Sequence, residues 1–412
     1  MDPFIVDVLN MLLRWLHVIV GIAWIGASFY FVMLDTSLSA PKKKQDVERG
    51  VFGELWAVHG GGFYHSQKYL TGPQGEPLSN DLHWAKWEAY FTWMSGICLL
   101  AIIYWYGADI YLIAPESLVT TQASAIAVSL AFLIGAWLIY NFLCRSVLAK
   151  NESVLGGVIF ILVSFAAWGL CELFTGRGAY ITFGAMLGTV MAANVFFVII
   201  PGQKQMISAI RAGQAVDPQP GIDGKQRSVH NTYFTLPVLF TMISNHYAMT
   251  YGHEANWLVL MTLCLAGAAI RVFFVSRHGA GSPNYIILGL GIAMLLAASI
   301  MLAPVPSLNQ TSQNQIAGES VKAERVNIEE IQLIINTRCT VCHSATPTQA
   351  GFISPPKGIV YDSVKDIELQ ATIIHKQAVL TKAMPIGNLT GMSDAEREKI
   401  HTWFSALSNQ TH

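Results

Sequence analysis

Two cysteines and a histidine near the C-terminal end have the spacing of a cofactor attachment site. Cys339 and Cys342 are separated by two residues, and His343 follows at once. In a C-x-x-C-H run the two thiols bond to haem vinyl groups, and the histidine ligates the iron. A zinc site would need a second pair of Cys or His ligands, and no cysteine follows Cys342. The motif therefore predicts one covalently bound haem c.

A second iron ligand is predicted further along the chain. Met384 lies 41 residues after His343 and precedes Pro385. A methionine thioether opposite a histidine raises the haem potential. Ser393 then begins an acidic run that is typical of a helix start and leads to Trp403. An attachment helix, a methionine loop and a closing helix resemble a class I cytochrome c domain. His375 is the rival sixth ligand, with a surface helix position as its alternative interpretation.

The composition indicates a membrane protein. The 412-residue chain is 53% hydrophobic and 12% charged, with a mean hydropathy of +0.43. Soluble domains carry about 25% charged residues. The net charge of −1 is uninformative about nucleic acid, and no basic run suggests it, so no nucleic-acid partner is expected. Four further cysteines lie singly in apolar segments and are expected to be buried packing residues; they are Cys98, Cys144, Cys171 and Cys264.

Eight segments are candidates for membrane-spanning helices, which need about 20 mostly apolar residues. They are 8–33, 86–107, 122–144, 153–174, 180–201, 232–250, 256–276 and 284–303. The N-terminus lacks the positive region and cleavage site of a signal peptide, so it is expected to remain in the mature protein. The predicted fold is all-α, with an eight-helix transmembrane bundle over residues 1–303 followed by the small cytochrome c domain.

Positive residues concentrate in the odd-numbered loops, which are therefore expected on the cytoplasmic side. They include Lys42, Lys43, Lys44, Arg49, Lys68, Arg145, Lys150, Lys204, Arg211, Lys225, Arg227 and Arg277. Eight spans then place both termini outside, in agreement with the bacterial periplasm as the site of c-type haem attachment. We predict a multi-pass protein of the bacterial inner membrane, a polar linker over 304–325 and a periplasmic cytochrome domain over 326–412.

The long first loop carries side chains suited to a flat, anionic heterocycle. Residues 54–69 contain three consecutive glycines, two histidines, a lysine, a glutamine and several aromatic residues. Glycine allows a close backbone approach or a positive φ. Aromatic faces can stack, a cation can oppose charge, and an imidazole can act as a base near neutral pH. The alternative is an interfacial aromatic loop with a glycine turn. No Gly-Lys-Ser/Thr follows, which argues against a phosphate-binding loop.

Glu88 lies just inside the second predicted span, where an ionisable group is a functional hypothesis by default. The alternative interpretation is that Glu88 forms a salt bridge to Lys86 or to a neighbouring helix. The runs Trp-Ala-Val-His-Gly-Gly-Gly-Phe-Tyr-His at 56–65 and His-Trp-x-Lys-Trp-Glu-Ala-Tyr at 83–90 resemble the bacterial membrane-bound urate oxidase (urate hydroxylase) family. The resemblance covers essentially the whole chain, including the His-Asn-Thr-Tyr run at 230–233 and the C-terminal cytochrome c.

This resemblance implies oxidation of urate to 5-hydroxyisourate, with electrons leaving through haem c to a cytochrome or a terminal oxidase. The family supplies no catalytic residues, so the site predictions come from the residues themselves. The predicted catalytic residues are His65, Glu88 and His59. The predicted substrate-binding residues are Phe63, Tyr64, Lys68, Arg14 and Arg271.

A second redox centre is also predicted, because the hydrocarbon core between cytosolic urate and an outside haem is about 30 Å thick. The alternative is that urate binds near the outer leaflet. His17 and His246 could lie at similar depth and ligate one haem b, with Arg14 opposing its propionates. Each histidine could instead be hydrogen-bonded inside the bundle. His230 and His278 are further candidates, near the cytoplasmic helix ends.

Three other functions would explain some of these sequence features. A quinol-linked membrane electron-transfer protein would explain the haem and the buried histidines, but not the glycine- and histidine-rich loop. A haem-tethered sensor would need a cytoplasmic output domain. A transporter would be expected to have broken helices, and Pro237 is the one mid-span proline in the eight predicted segments.

Overall fold

The structure is a computed structural model that describes residues 3–114, 117–277, 284–303, 327–349, 352 and 355–408. Its larger part runs from the N-terminus to Met301. In chain order, its elements are α1 (Pro3–Thr36), α2 (Lys44–Glu48), β1 (Gly53–His59), β2 (Gly62–Lys68), α3 (Trp87–Leu99), α4 (Ala108–Tyr111), α5 (Gln122–Arg145), α6 (Glu152–Leu173), α7 (Gly176–Asn194), α8 (Ile200–Arg211), α9 (Gln219–Ile243), α10 (Ala248–Tyr251), α11 (Asn256–Ser276) and α12 (Tyr285–Met301).

Short irregular helices connect or extend several of these elements. A π-helical stretch, Leu100–Trp105, continues α3, and another, Val195–Ile199, joins α7 to α8. Such stretches within α-helices are frequent at functional sites. Turns of 3₁₀-helix follow α5 at Val147–Lys150 and α9 at Ser244–His246.

Six stretches among the described residues are long and apolar enough to cross a membrane, as expected of a multi-pass membrane protein. They are Phe4–Thr36, Trp87–Trp105, Gln122–Arg145, Glu152–Leu173, Gly176–Arg211 and Asn256–Ser276. The eighth predicted span coincides with α12, which is apolar but shorter. The sixth coincides in part with α9. The mostly helical fold is confirmed, whereas the number of eight spans is not.

The helix at the sixth predicted span, 232–250, begins and ends earlier than that span. Helix α9 begins at Gln219, with Pro220 in its first turn, and ends at Ile243. Proline is tolerated there because N–H groups in the first turn of a helix have no hydrogen-bond partner within the helix. The N–H that proline lacks is therefore not needed. The first half of α9 carries Arg227, His230 and Asn231, which are all buried. A search for apolar runs misses this half because it is polar, and the buried part of its polar residues packs within the bundle.

Helix α7 lies at the centre of the bundle, packed against α5, α6 and α9. Its large side chains Tyr180 and Phe183 are fully buried. Gly184 lets α9 come close, since a methyl group at this position would overlap the Thr241 hydroxyl. Small residues at such crossings allow tight packing between helices within a membrane.

The expected burial holds for two of the four single cysteines. Cys144 and Cys264 are buried, whereas Cys171 is partly buried and Cys98 is exposed. Cys98 lies on α3, and an exposed thiol on a spanning helix is compatible with lipid because Cys behaves as a small hydrophobic residue.

The C-terminal part is a small helical unit with its own core. Its helices are α13 (Ile328–Arg338), α14 (Val364–Leu369), α15 (Ala371–Ile374) and α16 (Asp394–Ser408). Ile331 and Ile335 of α13 pack in one cluster with Ile400 and Trp403 of α16. Ser393 and Glu396 form the reciprocal hydrogen bonds of a capping box, with Glu396 N donating to Ser393 Oγ at 3.2 Å. The predicted helix start at Ser393 is thus confirmed.

Candidate functional site

The first loop folds into a β-hairpin, an addition to the all-α expectation. Strands β1 and β2 pair antiparallel, with His59 opposite Gly62 at the closed end. Gly60 and Gly61 form the two-residue turn, with φ of +59° and +80°. Two successive positive φ angles match the right-handed twist of hairpin strands and favour glycine. Of the two predicted roles for these glycines, the structure supports the turn.

Within the hairpin, His65 has two partners. Its Nε2 donates to Glu54 Oε2 at 3.0 Å, and its ring stacks on Trp56 with centroids 4.2 Å apart. Glu54 is buried, and its other oxygen accepts from the backbone N–H of Lys42 at 3.3 Å. A histidine held by a carboxylate at one nitrogen has the arrangement that orients a general base.

The remaining loop residues on the predicted list are spread over the hairpin surface. His59 and Tyr64 are exposed, and Phe63 is 77% exposed near the turn. Lys68 lies at the opposite end of β2 and forms an ion pair with Asp35 of α1, which Lys225 approaches to 3.6 Å. Burial, together with the nearby Lys225, lowers the pKa of the Lys68 ammonium. Lys68 is therefore separated from the aromatic tip.

Two other predicted residues lie within the bundle. Glu88 is in the first turn of α3, where its Oε2 is buried without a hydrogen-bond partner. Arg271 of α11 lies with its guanidinium carbon 3.7 Å from the centre of the Phe29 ring, and its Nε and Nη2 are likewise buried and unpaired. Each group is thus available to a polar ligand, which is in keeping with the prediction for each.

A buried polar cluster on α5, α7 and α9 was not predicted from the sequence. Tyr140 donates to His230 Nδ1 at 2.8 Å and accepts from Asn194 Nδ2 at 3.3 Å. Asn194 also donates to Asn231 Oδ1 at 3.0 Å. The other nitrogen of His230 donates to Glu152 Oε2 at 3.2 Å, and the Glu152 side chain is 62% exposed. The chain of hydrogen bonds therefore runs from the surface to the fully buried Asn194.

Arg227 belongs to the same cluster and is 2% exposed. Its Nη2 donates to Asn141 Oδ1 at 3.0 Å, and its guanidinium carbon lies 4.9 Å from the centre of the Tyr140 ring. Its Nε and Nη1 are buried without partners, as is the indole N–H of Trp137. The sequence did contain a signal, because Arg227, His230 and Asn231 recur at the three- and four-residue spacing of one helix face.

The predicted haem ligands lie together on one cavity of about 1220 Å³. Cys339, Cys342, His343 and Met384 all line it. His343 Nδ1 donates to the carbonyl of Ile359 at 3.0 Å, which leaves Nε2 with its lone pair for a metal. Burial lowers the pKa of His343, which favours the neutral imidazole that ligation requires. The donor set therefore fits a covalently attached haem.

The methionine loop is held by one buried arginine. Arg397 of α16 donates to the carbonyl of Met384 at 2.9 Å and also to that of Ala378. The rival ligand His375 is engaged elsewhere, because its Nε2 is 2.8 Å from His401 Nδ1 and its ring stacks on Phe404. Its alternative interpretation as a surface residue is wrong, since His375 is buried.

The larger part of the chain forms the other wall of this cavity. Arg14, Arg177 and His246 line it, together with Asn245, which accepts from Arg177 Nε at 3.0 Å. Gly252 of the bundle lies against the methionine loop, so a methyl group there would be 2.6 Å from the carbonyl oxygen of Thr381. Arg14 thus faces the cavity with the attachment motif, and not the hairpin that contains Lys68.

The two predicted haem b ligands have different surroundings in the structure. His17 Nδ1 donates to the carbonyl of Thr92 at 3.1 Å, and its ring packs against Gly96 of α3. His246 is exposed and lines the cavity of the attachment motif. One iron would need both imidazoles at one point, and a haem b held by this pair stays a prediction. His230 lies in the buried cluster, and His278 lies outside the described residues.

The described part of the chain contains no group of three or more His, Cys, Asp or Glu residues that could hold a metal ion. A zinc site built from Cys339 and Cys342 therefore lacks a second pair of ligands among the described residues.

Comparison with protein families gives one result. A family described as "Urate oxidase N-terminal" matches residues 3–303, which is most of the chain. The chain belongs to this family. Comparisons with curated proteins and with solved structures give no match. Membership in the urate oxidase family indicates a urate-related oxidoreductase, in keeping with the resemblance of the runs at 56–65 and 83–90.

Proposed function

We propose that this protein oxidises urate to 5-hydroxyisourate within the membrane and passes the electrons to its own haem c. The observation that carries the proposal is that one chain contains both a urate oxidase family region and the predicted haem ligands. A urate oxidase family region forms one wall of the cavity that Cys339, Cys342, His343 and Met384 line from the other side. On this proposal, a substrate domain and an electron acceptor belong to a single molecule.

The reaction balances without oxygen as a substrate. Urate and water give 5-hydroxyisourate, two protons and two electrons, so the new hydroxyl oxygen comes from water. A haem c bound at Cys339 and Cys342 would accept the electrons one at a time and pass them to a cytochrome or terminal oxidase. No hydrogen peroxide is formed on this route.

The chain offers two candidates for the base that removes a proton from urate. His65 has one nitrogen held by the buried Glu54, and Glu88 has a buried oxygen without a partner. Replacing the base by Ala should abolish haem reduction by urate, because proton transfer commonly contributes 10²–10⁴-fold to rate. The His65→Ala and Glu88→Ala variants should be compared by stopped-flow spectroscopy, with the haem spectrum as the control for folding. Unchanged turnover in a variant would show that the replaced residue is not the base, and His59 would then be tested.

The proposal as a whole is tested by one anaerobic spectrum. The purified protein in mild detergent is oxidised, freed of oxygen and mixed with urate. Rapid appearance of the reduced c-type band with urate, but not with xanthine or allantoin, is the expected result. Reduction by dithionite but not by urate would overturn the proposal, as would stoichiometric peroxide during turnover in air.

The second candidate function is quinol-linked electron transfer without urate chemistry. An almost entirely apolar cavity of about 410 Å³ lies between α5, α6, α7 and α9, lined by Phe132, Leu162 and Phe234 among others. Such a cavity is suited to a hydrophobic ring or tail. Haem reduction by a quinol at the same rate with and without urate would favour this candidate.

A further inference from the structure

We infer that urate binds as its planar monoanion to the buried Arg227 cluster, at the ends of α5 and α9 that the loop charges place near the cytoplasm. This inference rests on the proposed function and assigns the location of its substrate. The cluster is defined as Trp137, Tyr140, Asn141, Asn194, Arg227, His230 and Asn231. None of these residues was on the list predicted for substrate binding.

The charge of Arg227 is not compensated by a neighbouring carboxylate in the described part of the chain. Arg227 is 2% exposed, and no carboxylate among the described residues lies within ion-pair distance of its guanidinium. A buried charge is normally paired, because removal from water costs several kcal/mol per ion. Asn141 satisfies one N–H group, whereas Nε and Nη1 have no partner. An anion is therefore the ligand that this arginine lacks.

Other residues of the cluster also carry buried polar atoms without partners. The indole N–H of Trp137 is a buried donor without a partner, and Asn194 Oδ1 is a buried acceptor without one. The nitrogens of His230 and the hydroxyl of Tyr140 are already paired with each other and with Glu152. Three free donor nitrogens and one free acceptor suit a ligand that carries both carbonyl oxygens and N–H groups. Urate has both.

Aromatic rings lie beside the polar groups of the cluster. Tyr140 presents its ring face to Arg227, and the ring of Trp137 lies 4.9 Å from that of Phe197. The π-helical turn Val195–Ile199 begins directly after Asn194, so the helix geometry changes at this point. Aromatic faces favour a flat ligand over a tetrahedral anion such as phosphate.

Access to the cluster is from the end where Glu152 is exposed. Gln226 donates to Glu152 Oε1 at 2.7 Å, next to the Glu152–His230 hydrogen bond. These exposed side chains cover the cluster on that side. The 16 residues from Arg227 to Ile243 rise about 24 Å along α9. A substrate bound here is thus distant from the cavity of the haem motif, which agrees with the prediction of a second redox centre between them.

The test is equilibrium binding of radiolabelled urate to the dithionite-reduced full-length protein, which cannot turn over. Arg227→Gln should weaken binding by about tenfold or more, since hydrogen bonds to a charged group are lost. Arg145→Gln is the matched control, because Arg145 is an exposed arginine at the end of α5. It should bind urate like the wild type. Phosphate should not compete with urate.

A second variant keeps the test independent of folding. Asn141→Asp places a carboxylate 3.0 Å from Arg227 with almost no change in shape. It should raise the melting temperature and weaken urate binding, because the missing counter-charge is then supplied by the protein. Normal binding by both cluster variants would overturn the inference, while urate-driven haem reduction in the wild type would leave the proposed function standing. Failure of the wild type to bind or oxidise urate would instead overturn the proposed function.

Discussion

The thiols of Cys339 and Cys342 are expected to carry the haem covalently. Replacing both by Ser should abolish haem that survives denaturation, because no thioether bond can form. The measurement is haem staining after denaturing electrophoresis. Cys98→Ser is the control, since Cys98 is exposed on α3, and it should stain normally. Haem that remained covalently bound in the double variant would contradict the assignment.

His375 should make the stability of the C-terminal unit depend on pH. Its burial and the neighbouring His401 lower the pKa of His375 below its ordinary value near 6.5. The unfolded chain therefore binds a proton more readily than the folded one. Stability should be full above about pH 6.5 and should fall as the pH drops from there towards the lowered pKa.

Hydrogen exchange of residues 394–408 at pH 8 down to pH 5 measures this effect, because α16 packs on His375 through Phe404. His375→Phe removes the titrating group and should flatten the profile. An equally steep profile in that variant would assign the pH dependence to another group.

Single residues show how far sequence reasoning reached at the site. The haem motif could be predicted because its ligands are close together in the sequence and lie on one cavity. Arg227 could not be assigned in the same way, because its unpaired state depends on α5 and on the absence of a nearby carboxylate. His17 and His246 were paired by assumed depth alone, which ignored the α3 backbone that His17 contacts.

At the scale of elements, the hairpin should depend on its glycine turn. Alanine at Gly60 or Gly61 should destabilise the hairpin by roughly 1–2 kcal/mol, because a side chain disfavours a positive φ. A methyl group meets no atom within 4 Å at either position, so the cost is conformational. The measurement is hydrogen exchange of residues 53–68.

Gly62→Ala is the matched control for this turn. Gly62 is next in the sequence but is not among the residues with positive φ. A methyl group there would lie 4.0 Å from the nearest atom, the carbonyl oxygen of His59. Equal loss of protection in all three variants would show that the turn conformation is not the cause.

Helix α9 explains why element bounds were predicted less well than helix content. Its apolar half was found at nearly the right place, whereas its polar half was taken for a loop. In a membrane bundle, a helix face that packs on other helices does not need apolar residues if its polar groups are paired. Neighbouring helices such as α5 supply those partners, and a single sequence does not show which helices pack together.

For the whole molecule, docking of the C-terminal unit should control the transfer of electrons. Gly252→Ala would place a methyl group 2.6 Å from the Thr381 carbonyl oxygen and should push the methionine loop away. Haem reduction by urate should slow several-fold, with urate binding unchanged. Gly156→Ala is the control, because its surroundings are open. Equal rates in both variants, measured by stopped-flow spectroscopy, would contradict this role of the contact.

The course of α1 agrees with the predicted arrangement across the membrane. Arg14 lines the cavity of the attachment motif, whereas Asp35 pairs with Lys68 of the hairpin. From Arg14 to Asp35 the helix rises by 21 residue steps, about 32 Å, which is close to the thickness of a hydrocarbon core. The hairpin and the haem motif are thereby at opposite ends of one helix, as the charges of the loops predict.

The two-sided cavity has a consequence for biogenesis. Cys339 and Cys342 line it from one side, and residues such as Thr175 and Arg177 close it from the other. Machinery that attaches the predicted haem to these thiols is expected to reach them before the two walls meet. Maturation of the protein should therefore follow a fixed order, in which the bundle is inserted, the cofactor is attached to an undocked tail, and the tail then closes onto the bundle.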